Sequence, residues 1–271
     1  MWRWLDRLRG RAHRPRTPLP DALWHHTLTN CPFLTQYSGA ELARLRELAA
    51  LFLEDKAFHG AQGLTITDTM AVTIAAQACL PVLYLGPGAQ ALRWYDDFVG
   101  IVVHPDEVLA RREVVDEDGV VHVYDEPLAG EAMPEGPVML SWHDVSASSS
   151  ETGYNVVIHE FVHKLDLRDG RADGCPPLPA GFMDCASSGA ARAHWLDTLQ
   201  AVYEDFREAV IRAERFGTEA PWLDPYGAEA IDEFFAVACE AYFVNRSRFS
   251  REFPALLPLF DAFFRRGALN A

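Results

Sequence analysis

The sequence predicts an α+β protein, in which a helical first third is followed by short strands and then by helices. Apolar residues recur at helical spacing up to about residue 80, and short β-branched runs follow over about residues 81–146. Helical spacing returns over about residues 152–265. The 271 residues, 49% of them hydrophobic, suffice for a well-buried core. We therefore expect a basic tail at residues 1–18 and one domain over residues 19–271.

Two helices are predicted in the first third, and each has a recognisable start. The stretch "SGAELARLRELAALFLED" opens with a capping box, because Glu41 follows Ser38 by three residues. The stretch "TDTMAVTIAAQACL" is capped by Thr67 or Asp68, and Pro81 ends it. We expect this helical part to cover about residues 19–80.

The middle of the chain predicts a small mixed sheet. "VLYLG" and "VGIVVHP" are short apolar runs that end at Gly or Pro, and two further runs flank Asp118-Gly119, a hairpin signal. "PVMLSWHDV", from Pro137 to Val145, is expected to be the edge strand beside a functional site. His143 lies on this expected edge strand, either as a substrate contact or as an ordinary exposed position.

Long helices are expected at 190–215 and 228–245, followed by a helical tail that prolines interrupt. The five cysteines are scattered without a CxxC pair, so neither a zinc ribbon nor a disulfide framework is predicted. Cys79 and Cys239 lie in apolar helical patterns and are expected to be packing residues.

Charge and hydropathy exclude several classes of function. The net charge of −15 argues against direct nucleic-acid binding, which needs a concentrated basic surface. No run approaches the roughly 18 apolar residues of a membrane span. The first residues carry six Arg but lack the apolar core of a signal peptide, so a cytoplasmic location is expected.

The stretch "NVVIHEFVHKLD" predicts a zinc hydrolase site. Residues four apart share one helix face, so His159 and His163 can each give one nitrogen to one ion. Glu160 is placed to hold a water on the metal and accept its proton. Such strings also arise by chance. Here the surrounding residues are apolar, and buried histidines and glutamate are costly unless they are paired or bound to metal.

The third ligand has to come from elsewhere. Asp166 shares the helix face, but it lies seven residues after His159, a rise of roughly 10 Å that is too far for both to reach one ion. It is better placed as a residue that supports a metal ligand or as a helix-end residue, or it is an ordinary exposed acid. The helix "PYGAEAIDEFFAVACEAYF" offers Glu233 as third ligand, with Glu240 as its competitor or as the hydrogen-bond partner of a ligand histidine.

The sequence resembles the Mlc titration factor A (MtfA) family of bacterial zinc peptidases over about residues 19–260. The matching stretches are "LPDALW", "LTITDTMAVTIAAQACLPVL", "VMLSWHDV", "NVVIHEFVHKLD", "DGCPPLP" and "YGAEAIDEFFAVACEAYF". The resemblance implies a zincin-like metallopeptidase fold, related to the catalytic domain of anthrax lethal factor. It also implies one zinc ion held by His159, His163 and Glu233, with Glu160 as catalytic glutamate.

The same resemblance implies that Tyr226 supports the oxyanion, a role that a phenol near the metal can fill. From the sequence alone, Tyr226 could also be only a capping or packing aromatic. The implied activity is on peptides, including aminopeptidase-type substrates, with regulation through binding of a Mlc-like repressor of sugar uptake. The alternative is a non-catalytic regulatory protein that sequesters a transcription factor and carries a vestigial or structural zinc site.

Overall fold

A computed structural model describes residues 18–115, 121–148 and 151–265 of the chain. The predicted basic tail falls almost entirely outside these residues, as does the Asp118-Gly119 turn. Within the described residues, no helix is both long enough and apolar enough to cross a bilayer.

The described residues form a mostly helical α+β structure with a small sheet. The helices are α1 (Asp21–Asn30), α2 (Gly39–Asp55), α3 (Asp68–Ala78), α4 (Trp142–Ala147), α5 (Val156–Asp166), α6 (Ser188–Phe216), α7 (Ile231–Val244), α8 (Arg246–Glu252) and α9 (Leu256–Phe264). The strands are β1 (Ala57–Gly60), β2 (Gly100–His104), β3 (Val108–Val115), β4 (Val121–Leu128), β5 (Gly130–Ala132) and β6 (Val138–Ser141).

The predicted starts of the first two long helices are confirmed. The Ser38 side chain accepts the Glu41 N–H, and the Glu41 side chain accepts the Ser38 N–H, which completes the capping box of α2. Thr67, rather than Asp68, caps α3 by accepting the Met70 N–H at 3.2 Å. The polar N-terminal residues therefore fix where both helices begin.

The main sheet has the strand order β1-β2-β6-β5. Strands β1, β2 and β6 run parallel, and β5 pairs antiparallel with β6. The strand prediction for "VLYLG" is wrong. Its residues form turns, in which the N–H of Leu83 donates to Leu80 O and the N–H of Leu85 donates to Val82 O. The apolar character of the stretch reflects burial, since Val82 and Leu83 lie in the core.

The strand predicted over Pro137 to Val145 is confirmed for Val138–Ser141, but its predicted extent and its edge position are wrong. Strand β6 ends at Ser141, whose hydroxyl accepts the Asp144 N–H and caps α4, so His143 lies on a helix. Strand β6 is interior, and the edges of the sheet are β1 and β5, of which β5 pairs with β6. The hairpin prediction is confirmed, since β3 and β4 pair antiparallel as a separate two-stranded sheet.

Helix α5 lies at the centre of the core. Phe161, on its inner face, packs against Phe52, Tyr95 and Phe98, with ring centroids 5.6, 5.1 and 5.9 Å away. Helix α7 is buried from Phe234 to Val244 and packs against α5. Burial of these two helices sets the relative positions of their polar side chains.

Candidate metal centre

Buried hydrogen bonds fix the start of the histidine helix. Asn155 caps α5 by accepting the Ile158 N–H at 2.9 Å, and its Nδ2 donates to Gln77 Oε1 on α3 at 2.6 Å. Its backbone N–H donates to Glu240 Oε2 on α7. Three separate helices thus meet at one fully buried asparagine, which orients the first turn of α5 and the histidine that follows.

His159, His163 and Glu233 bring three potential ligand atoms together. His159 Nε2 lies 3.1 Å from His163 Nε2, and Glu233 Oε2 lies 3.0 and 3.2 Å from these two nitrogens. Among the described residues, this is the one group of at least three His, Cys, Asp or Glu side chains that could hold a metal ion.

The cluster fits a tetrahedral metal ion. Nitrogen and oxygen ligands about 2.1 Å from such an ion lie about 3.4 Å apart, close to the distances in this cluster. Two facing Nε2 atoms and a carboxylate oxygen also form a donor set that zinc prefers. The side chains are largely buried, at 11% exposure for His159, 12% for His163 and 21% for Glu233.

Glu240 orients the first of these histidines. Its Oε1 lies 2.7 Å from His159 Nδ1, so a proton on Nδ1 is shared with the carboxylate and the Nε2 lone pair is directed at the cluster. The acid is 2% exposed, and its other oxygen accepts the N–H of Asn155. Glu240 is therefore the hydrogen-bond partner of His159 Nδ1, whereas Glu233 lies beside the Nε2 atoms of both histidines.

Charge is balanced between the histidines and acids of the cluster. Burial lowers the pKa of His159, but its hydrogen bonds to Glu233 and Glu240 outweigh burial and raise that pKa well above 6.5. Burial opposes ionisation of Glu233, yet hydrogen bonds from both histidines hold its pKa below the ordinary 4.5. Without a metal the cluster retains a proton, which a metal ion has to displace.

Glu160 lies beside the cluster but does not join it. It is 5% exposed and lines the cavities on both sides of the histidines. Burial raises its pKa to about 7, although His159 and His163 lower it. A carboxyl group with this pKa can both accept and release a proton near neutral pH.

Asp166 is not among the residues of the cluster and is not an exposed acid. It is fully buried at the end of α5, where its Oδ2 accepts the Gly174 N–H at 2.9 Å. Burial raises its pKa to about 7, while that hydrogen bond lowers it. Asp166 thus ties the end of the histidine helix to the loop that follows.

Tyr226 lies in the wall of the site. Its ring centroid is 6.0 Å from that of His159, and it lines the same two cavities as Glu160. A short 3₁₀ turn, Pro225–Ala228, holds it, and the turn begins where Asp224 Oδ1 accepts the Tyr226 N–H at 3.0 Å. The turn packs against α7, the helix that carries Glu233.

Two cavities of about 240 Å³ each flank the cluster. Both contain Gly130, His159, Glu160 and Tyr226. One extends past His163 and Glu233, and its other lining residues are Glu131, Ala132, Pro134, Leu167, Ala172 and Asp232. The second extends towards Tyr154 and Val237. The shared residues make these cavities one cleft that crosses the cluster.

Strand β5 forms one rim of this cleft. Ser141 N–H donates to Ala129 O at 2.7 Å, and in an antiparallel ladder the hydrogen-bonded pairs alternate. The backbone groups of Gly130 and Ala132 are therefore directed to the open edge. Lys164 holds the turn after β5, since its Nζ donates to Met133 O at 2.6 Å and Gly136 O at 3.0 Å.

Several residues of the site have no motif that identifies them in the sequence. Asn155, Gln77 and Lys164 are buried polar residues whose partners lie far away in the chain. Only the cost of burying an unpartnered polar group hints at their roles. Gly130 lies in a three-residue strand too short to show a pattern.

The profile of the glucose-regulated metallo-peptidase M90 family matches residues 2–265. The chain belongs to this family. It is also similar to proteins named Mlc titration factor A: 33% identical to that of Klebsiella pneumoniae over 99% of this chain and 92% of the relative. For the Edwardsiella ictaluri protein the identity is 34%, over 100% of this chain and 95% of the relative.

Membership of the M90 family agrees with a peptidase that depends on a metal ion, typically zinc. The His159, His163 and Glu233 cluster is where the described residues offer a place for such an ion. The name of the relatives links the family to Mlc.

Proposed function

We propose that this chain is a zinc-dependent peptidase with one ion held by His159, His163 and Glu233. The observation that carries the proposal is the convergence of three ligand atoms within 3.0 to 3.2 Å of one another, from helices about 70 residues apart in sequence. Two neutral imidazole nitrogens would not face each other so closely without a proton or a cation between them. Residues 19–271 would then form one zincin-like catalytic domain.

The bound ion would supply Lewis-acid chemistry, by polarising the scissile carbonyl and lowering the pKa of water. Glu160 accepts a proton from the attacking water and delivers it to the amine nitrogen that leaves. Its burial and its pKa of about 7 suit both steps. Tyr226 donates its phenol proton in a hydrogen bond to the oxyanion that develops at the carbonyl. Its place with Glu160 in the lining of both cavities, 6.0 Å from the His159 ring between centroids, supports this role.

Strand β5 binds the substrate in this proposal. An extended peptide adds to an open sheet edge through main-chain hydrogen bonds, and the outward backbone groups of Gly130 and Ala132 meet that requirement. The cleft runs along β5 past Glu160. A peptide bound there would have its scissile bond at the cluster.

We further propose activity on aminopeptidase-type substrates in the cytoplasm and binding of a Mlc-like transcriptional repressor. The repressor as partner is supported by the name of the relatives, Mlc titration factor A. Peptide cleavage and repressor binding need not share residues, since the cleft is concave and a repressor is a folded protein.

One experiment separates the catalytic from the non-catalytic function. Wild type, Glu160→Gln and the exposed control Glu219→Gln are each loaded with one equivalent of zinc and incubated with a peptide library. We expect cleavage by wild type and control, and a loss of at least about 100-fold in Glu160→Gln. Binding of a purified Mlc-like repressor should be equal in all three. Wild type that cleaves no peptide, or Glu160→Gln as active as wild type, would overturn the enzymatic proposal.

A further inference from the structure

Gly130 lies where the edge strand meets the histidine helix. It is the first residue of β5 and pairs with Leu140 of β6. Directly opposed residues in an antiparallel pair share a face of the sheet, and Leu140 is 1% exposed. Position 130 is therefore on the covered face, and α5 packs against β5.

There is no room at this position for a side chain. A Cβ built on Gly130 would lie 2.5 Å from Oε1, 2.6 Å from Cγ and 2.7 Å from Cδ of Glu160. These three nearest atoms all belong to one side chain. The φ angle of Gly130 is not positive, so a backbone conformation reserved for glycine is not the reason for its presence. Space is the reason, and Glu160 occupies it.

Other crowded glycines of the chain contact packing groups instead. A Cβ on Gly174 would meet Leu199, Phe235 and a backbone oxygen, and one on Gly60 would meet the backbone of Leu64. Substitution at those positions strains the core. At Gly130 the atoms that have to move are at the far end of the flexible Glu160 side chain. A side chain at position 130 is therefore compatible with the fold, but it displaces the Glu160 carboxylate.

We propose that Gly130 is a positioning residue for peptide hydrolysis. Because glycine has no side chain, the Glu160 carboxylate can occupy the space beside the cleft that a Cβ at position 130 would take. The inference rests on the proposed role of Glu160 as general base. A methyl group at this position displaces the carboxylate from the attacking water, and none of its three nearest atoms belongs to His159, His163 or Glu233. Glycine at the edge strand thus sets the alignment of the base, a property to which rate is sensitive.

The test is Gly130→Ala, with Gly39→Ala as matched control, since a Cβ on Gly39 meets nothing within 4 Å. Misplacement of a catalytic group by about 1 Å costs up to about 100-fold in rate. We expect kcat of Gly130→Ala to fall about 10- to 100-fold while KM stays within about twofold. Zinc stoichiometry and melting temperature should equal those of Gly39→Ala. A kcat within twofold of wild type would overturn the proposal.

A double-mutant cycle shows whether Gly130 acts through Glu160. Aspartate is shorter by one methylene group, so in a Glu160→Asp background the added methyl group has less to displace. We expect Gly130→Ala to reduce kcat at least fivefold less in this background than in wild type, an interaction that a general structural defect would not produce. Equal losses in both backgrounds would contradict the proposal.

A crystal structure of metal-free Gly130→Ala shows whether Gly130 sets the position of the Glu160 carboxylate, and this test does not depend on activity. We expect the Glu160 carboxylate to move by about 1 Å or more, the scale that alters rate, while His159 and Glu240 keep their hydrogen bond. A carboxylate in its wild-type position would overturn the inference. If wild type cleaves no peptide, the proposed function fails, and this structure still shows whether Gly130 sets the position of Glu160.

Discussion

The two faces of helix α5 are held in different ways. The inner face presents Phe161 to a cluster of aromatic rings, and the interaction is packing alone. The outer face presents His159, which has hydrogen-bond partners on α7. Packing tolerates a change of shape when total volume is kept. The polar face requires particular atoms at particular distances.

The aromatic face of α5 therefore mainly determines stability, and the polar face mainly determines the chemistry of the site. The aromatic face contributes most to the free energy of unfolding, because large apolar side chains are removed from water there. The polar face gains little from burial, since each charged or polar group has to be compensated by a partner. We therefore expect changes on the first face to unfold the protein and changes on the second to remove metal binding first.

The largest expected effect is on the aromatic face. Phe161→Ala leaves a cavity among three aromatic rings and should lower the free energy of unfolding by about 3–5 kcal/mol. Urea denaturation of the metal-free protein measures this change. The matched control is Phe216→Ala, since Phe216 is 75% exposed, and it should change stability by less than about 0.5 kcal/mol. Equal effects at both positions would refute the role assigned to this face.

On the polar face, Glu240→Gln keeps the size of the side chain but weakens the hold on His159 Nδ1. Loss of such a partner reduces metal affinity about 10- to 100-fold. Competition with a chelator of known zinc affinity measures the loss, and Glu219→Gln, an exposed change, serves as control. Unchanged zinc affinity in Glu240→Gln would show that orientation of His159 does not depend on Glu240.

The start of α5 gives a smaller effect. Asn155→Ala removes a helix cap and leaves Gln77 Oε1 without its buried donor, so we expect the free energy of unfolding to fall by about 2 kcal/mol. Ser187→Ala removes a comparable cap from α6 at an exposed position, where Ser187 accepts the Ala190 N–H at 3.1 Å. There the loss should be about 0.5–1 kcal/mol. Similar losses in the two variants would mean that burial of the cap adds nothing.

The smallest expected effect is a dependence of stability on pH. Asp166 keeps its proton in the folded protein up to about pH 7, whereas in the unfolded chain it ionises near 3.8. The folded state therefore binds more protons between these values, and its stability falls as pH rises through them. Between pH 6 and pH 7, wild type should lose about 1 kcal/mol more of its free energy of unfolding than Asp166→Asn. The opposite sign in metal-free protein would contradict the burial of this carboxyl group.

The same contrast explains what the sequence predicts and what it does not. Local residue spacing predicts the apolar face of α5, the helix caps and the His159–His163 pair. The helices of the structure lie where this spacing places them. The third ligand is ambiguous in sequence, because Glu233 and Glu240 lie two turns apart on the same face of α7. Only the packing of α7 against α5 places Glu233 at both Nε2 atoms and Glu240 at Nδ1.

The sheet is the least predictable part. Strand β5 has three residues, Gly-Glu-Ala, without alternation or β-branching, and it is a strand because β6 offers it a partner. The "VLYLG" stretch has strong strand character but folds as turns, since the core takes up its apolar side chains. In both cases tertiary contacts outweigh local propensity.

The central claim is that His159, His163 and Glu233 form one metal site whose third ligand comes from α7. Its most direct test is the zinc stoichiometry of wild type, Glu233→Ala and Glu240→Ala at equal, buffered free zinc. The free zinc is set about tenfold above the dissociation constant of wild type. We expect about one zinc per wild-type chain, near zero in Glu233→Ala, and an intermediate value in Glu240→Ala, which keeps all three ligands. One full equivalent bound by Glu233→Ala with wild-type affinity would contradict the account.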